Sequence, residues 1–127
     1  MSYIPKNIRE GADISYVRER LEDYRQELYE DSAYVYLAVR TFYCGRDVNG
    51  NGTAHYRVEL CIYNPYKIYT VCSVVSSGKR REQYGYGVDN EAALYALDKL
   101  GFEVERITDK SVDHRNTFQI EYKITNL

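Results

Sequence analysis

Three consecutive stretches alternate apolar and polar residues with a period of two and are joined by turns too short for a crossover, so this chain must build an antiparallel meander. In the first, Ala33 to Cys44, residues Ala33, Val35, Leu37 and Val39 share an aliphatic face, against Tyr34, Tyr36, Ala38, Arg40 and Phe42. Apolar and aromatic residues on both sides predict a strand covered on both faces. Asn49-Gly50-Asn51-Gly52 then supplies residues that tolerate positive φ, the signature of a hairpin turn. The second stretch, Thr53 to Asn64, turns Tyr56, Val58, Leu60 and Ile62 inward and His55, Arg57, Glu59, Cys61 and Tyr63 outward. After the turn Asn64-Pro65-Tyr66-Lys67, the third sets Ile68, Thr70, Cys72 and Val74 against Tyr69, Val71, Ser73 and Val75.

Helical spacing flanks this meander. Residues 1–12 read as a polar arm, and Asp13 or Ser15 can cap a long helix over residues 13–31. Its apolar residues Ile14, Val17, Leu21, Tyr24 and Leu28 recur at intervals of three and four, a narrow seam that fits either the chain's own sheet or a second copy of the helix. Arg18 with Glu22, Arg20 with Asp23 and Glu22 with Arg25 stand at pairing distance along it. A second, short helix is predicted from Asn90 to Leu100, capped by Asp89, with Ala93, Leu94, Leu97 and Leu100 inward and Gly101 as its left-handed stop. Phe102 to Ile107 and Phe118 to Ile124 alternate as strands, the last cleanly amphipathic with Gln119, Glu121 and Lys123 outward. The expected fold is therefore α+β: one domain over residues 1–127, a mostly antiparallel sheet in α-β-β-β-α-β-β order with a long N-terminal helix, and residues 33–127 forming the sheet core.

Between the third strand and the short helix lies Ser77-Gly78-Lys79-Arg80-Arg81-Glu82-Gln83-Tyr84-Gly85-Tyr86-Gly87-Val88-Asp89-Asn90. As a loop, Gly85 and Gly87 would let backbone approach a ligand closely while Tyr84 and Tyr86 present ring faces. Lys79, Arg80 and Arg81 supply donors for phosphate oxygens, and the start of a helix welcomes an anion. The run fits equally a solvated hairpin turn whose charges serve solubility. It is neither a Walker loop nor a dinucleotide fingerprint, since Gly-Lys-Ser/Thr and a third glycine are both missing. Arg57 in mid-strand, Arg106 with inward parity at a strand end, and His114 with Arg115 in a polar connection are further cations able to gather with it; each also fits an ordinary surface ion pair.

Other chemistries find less support. A net charge of −2 and a pI near 5.7 argue against binding long nucleic acid through its backbone. His55 and His114 are the only imidazoles and stand at no metal-ligand spacing, so no metal or cofactor is expected. Cys44 or Cys61 with His55 is the nearest approach to a thiol nucleophile, though a strand cysteine is ordinarily an inert small hydrophobe. Glu103 with Glu105 fits a solvated strand edge better than a general acid/base pair. An odd set of 3 cysteines without close spacing predicts free thiols in a reducing compartment. No apolar run approaches the ~18 residues of a membrane span, which predicts a soluble, cytoplasmic protein. Fifteen tyrosines without tryptophan predict many partly wet contacts.

The order of a long helix, a three-stranded meander and returning strands, with Tyr84-Gly85-Tyr86-Gly87-Val88-Asp89-Asn90-Glu91-Ala92-Ala93-Leu94 opening a short helix, resembles the phage Thoeris anti-defence protein 1 family. The resemblance covers element order over most of the chain, and this run is its motif-like part. It implies a non-enzymatic sponge, acting in the cytoplasm of an infected host cell, that binds cyclic ADP-ribose isomers made by TIR-domain immune enzymes. Some members also take cyclic oligonucleotides, and they assemble through their helices into dimers or hexamers. The expected site comes from the arginine and loop argument, and the resemblance only encourages it. Tyr84 and Tyr86 stack on a base, Arg57, Arg80, Arg81, Arg106 and Arg115 neutralise phosphates, and Asn90 donates hydrogen bonds at the helix start. The alternative is a protein-binding inhibitor of a host defence enzyme that uses the tyrosines and the acidic side of the first helix, Glu22, Asp23, Glu27, Glu30 and Asp31. A small nucleotide-acting enzyme ranks third.

Overall fold

The computed structural model describes residues 8–77, 80–81, 85–111 and 117–127, with backbone alone for 8–10, 80–81, 85–89, 108–111 and 117–118. Five long antiparallel strands make its body: β2 (Tyr34–Arg46), β3 (Gly52–Asn64), β4 (Lys67–Ser77), β6 (Val104–Ser111) and β7 (Thr117–Ile124). Two short strands extend it, β1 (Ile8–Gly11) and β5 (Arg80–Arg81). The order across the sheet is β1-β4-β3-β2-β7-β6, with β5 paired to β3. The α+β class and the antiparallel meander are as expected. Ile8–Gly11, read as part of an arm, is instead a strand on β4. The Asp13 carboxylate accepts from the Tyr16 N–H at 2.9 Å and starts helix α1 (Ile14–Leu21).

The first helix is not long. After α1 the chain tightens into a 3₁₀ turn, Glu22–Tyr24, and resumes as the single-turn α2 (Arg25–Leu28). Tyr24 leaves helical geometry, at φ −119° and ψ 24°, and sets its ring edge-on to Tyr69 at 6.0 Å. A straight helix would carry a seam of this length off a twisted sheet, and the break keeps Tyr24 and Leu28 in contact. Val17 is fully buried, and Ile14, Leu21, Tyr24 and Leu28 pack around the same core. The seam is thus filled by the chain's own sheet. Arg20 pairs with Asp23 and Arg25 with Glu22, but Arg18 donates to the Asn126 carbonyl at 2.7 Å.

The core lies between these helices, α3 (Gly85–Lys99) and one face of the sheet, with Leu37, Tyr56, Val58, Leu60, Ile62 and Leu97 fully buried. Strands β2 and β3 present the faces their alternation predicts. Strand β4 does not, because its register against β3 jumps twice, between Val58 and Glu59 and between Leu60 and Cys61. Each jump inserts a residue, and Val71 and Val74 join Tyr69, Cys72 and Val75 at the core. A bulge resets parity, so strict alternation cannot hold through it.

Helix α3 starts five residues before the expected Asn90, so Gly85, Tyr86 and Gly87 are helical, not loop, and Asp89 lies inside the helix, not at its cap. Its end is as expected. Gly101 takes φ +90°, Phe102 N–H reaches the Leu97 carbonyl at 2.9 Å and Gly101 N–H reaches Asp98 at 3.1 Å, a Schellman closure.

Candidate functional site

With both helices on one face, the other face of the sheet carries a separate set of residues. Register fixes it: Phe42 lies opposite His55, Arg40 opposite Arg57, and Ala38 opposite Glu59 on one side and Glu121 on the other. Tyr36, Ala38 and Cys61 form a small buried cluster distinct from the main core. Gln119 and Glu121, expected to be solvated, are buried at 9% and 7% exposure. Strand β7 is therefore not cleanly amphipathic.

A hydrogen-bonded network explains why these polar groups tolerate burial. Two arginines directly across a strand pair repel each other. Glu59 resolves the conflict by accepting from Arg40 Nη1 at 2.9 Å while standing 4.0 Å from Arg57 Nη1. Arg40 Nε donates to Gln119 Oε1 at 2.9 Å, and Gln119 Nε2 donates to Glu121 Oε2 at 2.8 Å. Among the described residues, no buried side-chain nitrogen or oxygen of this network is left without a hydrogen-bond partner. Burial, then the nearby Cys61 and Glu121, pushes the Tyr36 phenol well above its ordinary value, and burial pushes the Cys61 thiol up against the opposing pull of Arg40. At the bottom of the same face Tyr34 stacks on Tyr63 with centroids 5.0 Å apart.

The upper end of this face is aromatic and cationic. Phe42 and His55 stack at 5.2 Å with 21° between their planes, and the Arg57 guanidinium lies 5.2 Å from the Phe42 centroid. Cys44 Sγ stands 2.9 Å from His55 Nδ1. Strand β5 joins here, with Arg81 opposite Thr53 and Arg80 opposite Ala54. Along β3, Ala54 and Arg57 are separated by three residues, about 10 Å at the usual rise. Register thus brings the backbone of Arg80 and Arg81 to the end of the sheet that holds Arg57, with Arg81 at a position in step with Arg57 and Arg80 at one in step with the buried Ala54 and Tyr56.

Arg106 and Asn90 do not join them. Arg106 lies opposite Tyr122, whose ring belongs to the helix-side core, so it has the inward parity expected of it; on the edge strand β6 it is nonetheless exposed, and it stands on the face away from Arg57, about 14 Å from β3 by strand spacing. Asn90 also serves the helix side, accepting from the Tyr122 hydroxyl. Tyr84, His114 and Arg115 lie outside the described residues, as does the side chain of Tyr86. Cys44 was weighed with His55 only as a thiol nucleophile, and Phe42, Arg40 and Gln119 were missed. The signal for them was the hairpin register set by Asn49-Gly50, which places Phe42 and Arg40 beside His55 and Arg57.

A cleft of about 450 Å³ lies elsewhere, lined by Gly11, Asp13, Tyr16, Ser73 and Leu100. Among the described residues no group of three or more His, Cys, Asp or Glu stands where it would hold a metal, and no helix is long and apolar enough to cross a membrane. Comparison with models of protein families, with curated proteins and with solved structures gives no match to this chain.

Proposed function

We propose that the protein binds a cyclic nucleotide second messenger, a cyclic ADP-ribose isomer or a cyclic oligonucleotide, and holds it without cleavage, as an immune-evasion sponge would in an infected cell. The observation that carries this reading is the pairing of β5 with β3, which brings the backbone of Arg80 and Arg81 to the end of the sheet where Arg57 overlies the Phe42–His55 stack. A flat base needs a ring or guanidinium face, and a phosphate needs forked donors; this end of the sheet holds both kinds of group. Arg106 and Asn90, on the opposite face, have no part in it. With the helix seam filled within the chain, assembly into a dimer or hexamer would use the outer, charged side of α1.

Titration calorimetry and thermal melts against cyclic ADP-ribose isomers and cyclic oligonucleotides test the reading. At one hundred times the dissociation constant, ligand adds about 2.7 kcal/mol of stability. Bound nucleotide comes off intact on heating, and Arg57→Ala and the double variant Arg80→Ala/Arg81→Ala both weaken binding. Undiminished affinity in both variants places the ligand elsewhere, and no shift with any of these nucleotides ends the proposal.

A second reading, an inhibitor that docks on a host enzyme, draws on a different region. Tyr29 and Tyr66 are 90% and 83% exposed. They flank the exposed Glu30 and Asp31 at the end where Asn64 Nδ2 ties β3 to the Glu27 carbonyl. Tyrosine beside acid suits a basic protein surface. A stable complex with a host protein that survives Arg57→Ala and is lost in Tyr29→Ala/Tyr66→Ala would favour it.

A further inference from the structure

Of the three cysteines, Cys61 is fully buried, Cys72 is partly buried against the main core, and Cys44 is partly buried at the upper end of the open face. Its Sγ stands 2.9 Å from His55 Nδ1 and 3.5 Å from the Phe42 carbonyl. The pair is held from several directions. Gly45, at φ +85°, bends the strand immediately after Cys44, and its carbonyl accepts from Thr53 Oγ1 at 2.9 Å. The His55 ring is fixed in plane by its stack on Phe42. With its proton on Nε2, the imidazole presents Nδ1 as acceptor to the thiol.

We infer that Cys44 and His55 form a thiol–imidazole pair that undergoes thiol–disulfide exchange with a small anionic disulfide, making Cys44 a site of reversible mixed-disulfide modification. In the exchange, His55 Nδ1 takes the thiol proton as Cys44 Sγ attacks one sulfur of the disulfide. The new S–S bond forms, the old one breaks with its electron pair on the departing sulfur, and the imidazolium returns the proton to that thiolate. Cys44 is oxidised, the small disulfide is reduced, and no other reactant is needed. The step is stoichiometric, and it rests on the thiol and imidazole alone, whether or not a nucleotide binds beside them.

Oxidised glutathione is the probe, with each cysteine followed by peptide mass mapping over time. Cys72, equally partly buried but packed against the main core, serves as the internal reference. Cys44 is expected to acquire glutathione at least about tenfold faster than Cys72, and His55→Asn, which keeps a polar side chain but cannot take up the proton, is expected to remove that advantage. Cys44→Ser removes the fast phase entirely, and dithiothreitol reverses the modification. A Cys44 rate equal to that of Cys72, or a rate ratio unchanged in His55→Asn, overturns the inference. Should His55→Asn lose the fold by circular dichroism, the wild-type ratio decides alone.

Discussion

The most informative single residue on the open face is Arg40, whose guanidinium connects two strands through Glu59 and Gln119. Arg40→Met keeps the hydrocarbon stem but leaves Glu59, with a side chain only 13% exposed, without its close cation, and Arg40 itself is 29% exposed. Loss of a partly buried, hydrogen-bonded charge lowers stability by about 1–3 kcal/mol, which a shift of the urea midpoint at unchanged m-value would report. Arg40→Lys restores the charge without the fork and recovers only part of the loss. Proton binding gives a second test at this scale. The Tyr36 phenol and the Cys61 thiol are held above their ordinary values of 10.0 and 9.0. Above those ordinary values the unfolded chain sheds its protons while the folded one retains them, so stability is complete below about pH 9 and falls as pH rises. Tyr36→Phe removes the phenol's share. Melting temperatures taken from about pH 8 to 11 should fall less steeply in the variant above pH 10, and parallel curves would show that the phenol is not responsible.

At the scale of the element, local chemistry decides more at turns than within strands. Gly101 ends α3 at φ +90°, and a Cβ there would stand 3.1 Å from Ile14 Cγ2. Gly101→Ala therefore meets both backbone strain and a side chain of α1, and costs about 1–2 kcal/mol, read as a lower urea midpoint. This stop was legible in the sequence because glycine after a leucine-rich helical run has one main use. Strands β2 and β3 were legible for a similar reason: thirteen residues each leave room for several cycles of alternation. What failed was whatever depended on a distant partner. The bulges of β4 arise from its register on β3. Ile8–Gly11 is a strand only because Val75 to Ser77 offer an edge. The first helix breaks where Tyr24 meets Tyr69, some forty-five residues further along the chain. Arg106 keeps the parity its strand predicts, but which face of the sheet that parity meant, the one away from Arg57, depends on the pairing of β6 with β7 and of β7 with β2. Gly85 and Gly87 misled in another way, because glycine permits a loop without requiring one.

At the scale of the whole molecule, the two faces of the sheet differ in kind, one apolar and covered by helices and the other polar and aromatic. All three helices and the long seam of Val17 lie with Leu60, Ile62 and Leu97 in one continuous cluster. The other face holds Arg40 and Arg57, the stacked Phe42 and His55 rings and Cys44. Continuity of the core means that α1 and α3 cannot undock independently without opening the same apolar contacts, so the chain should unfold in a single transition. Leu97→Ala tests this, because Leu97 is fully buried and belongs to α3 alone, far in sequence from α1. A buried leucine truncated to alanine costs about 2–5 kcal/mol. For a chain of this length each kcal/mol lowers the melting temperature by roughly 2–6 °C, so the transition should move down by several degrees as one. Helical ellipticity near 222 nm and tyrosine fluorescence, which reports mainly on the sheet, should share a midpoint in both proteins. Two separated midpoints in the variant would mean that α3 docks as its own unit.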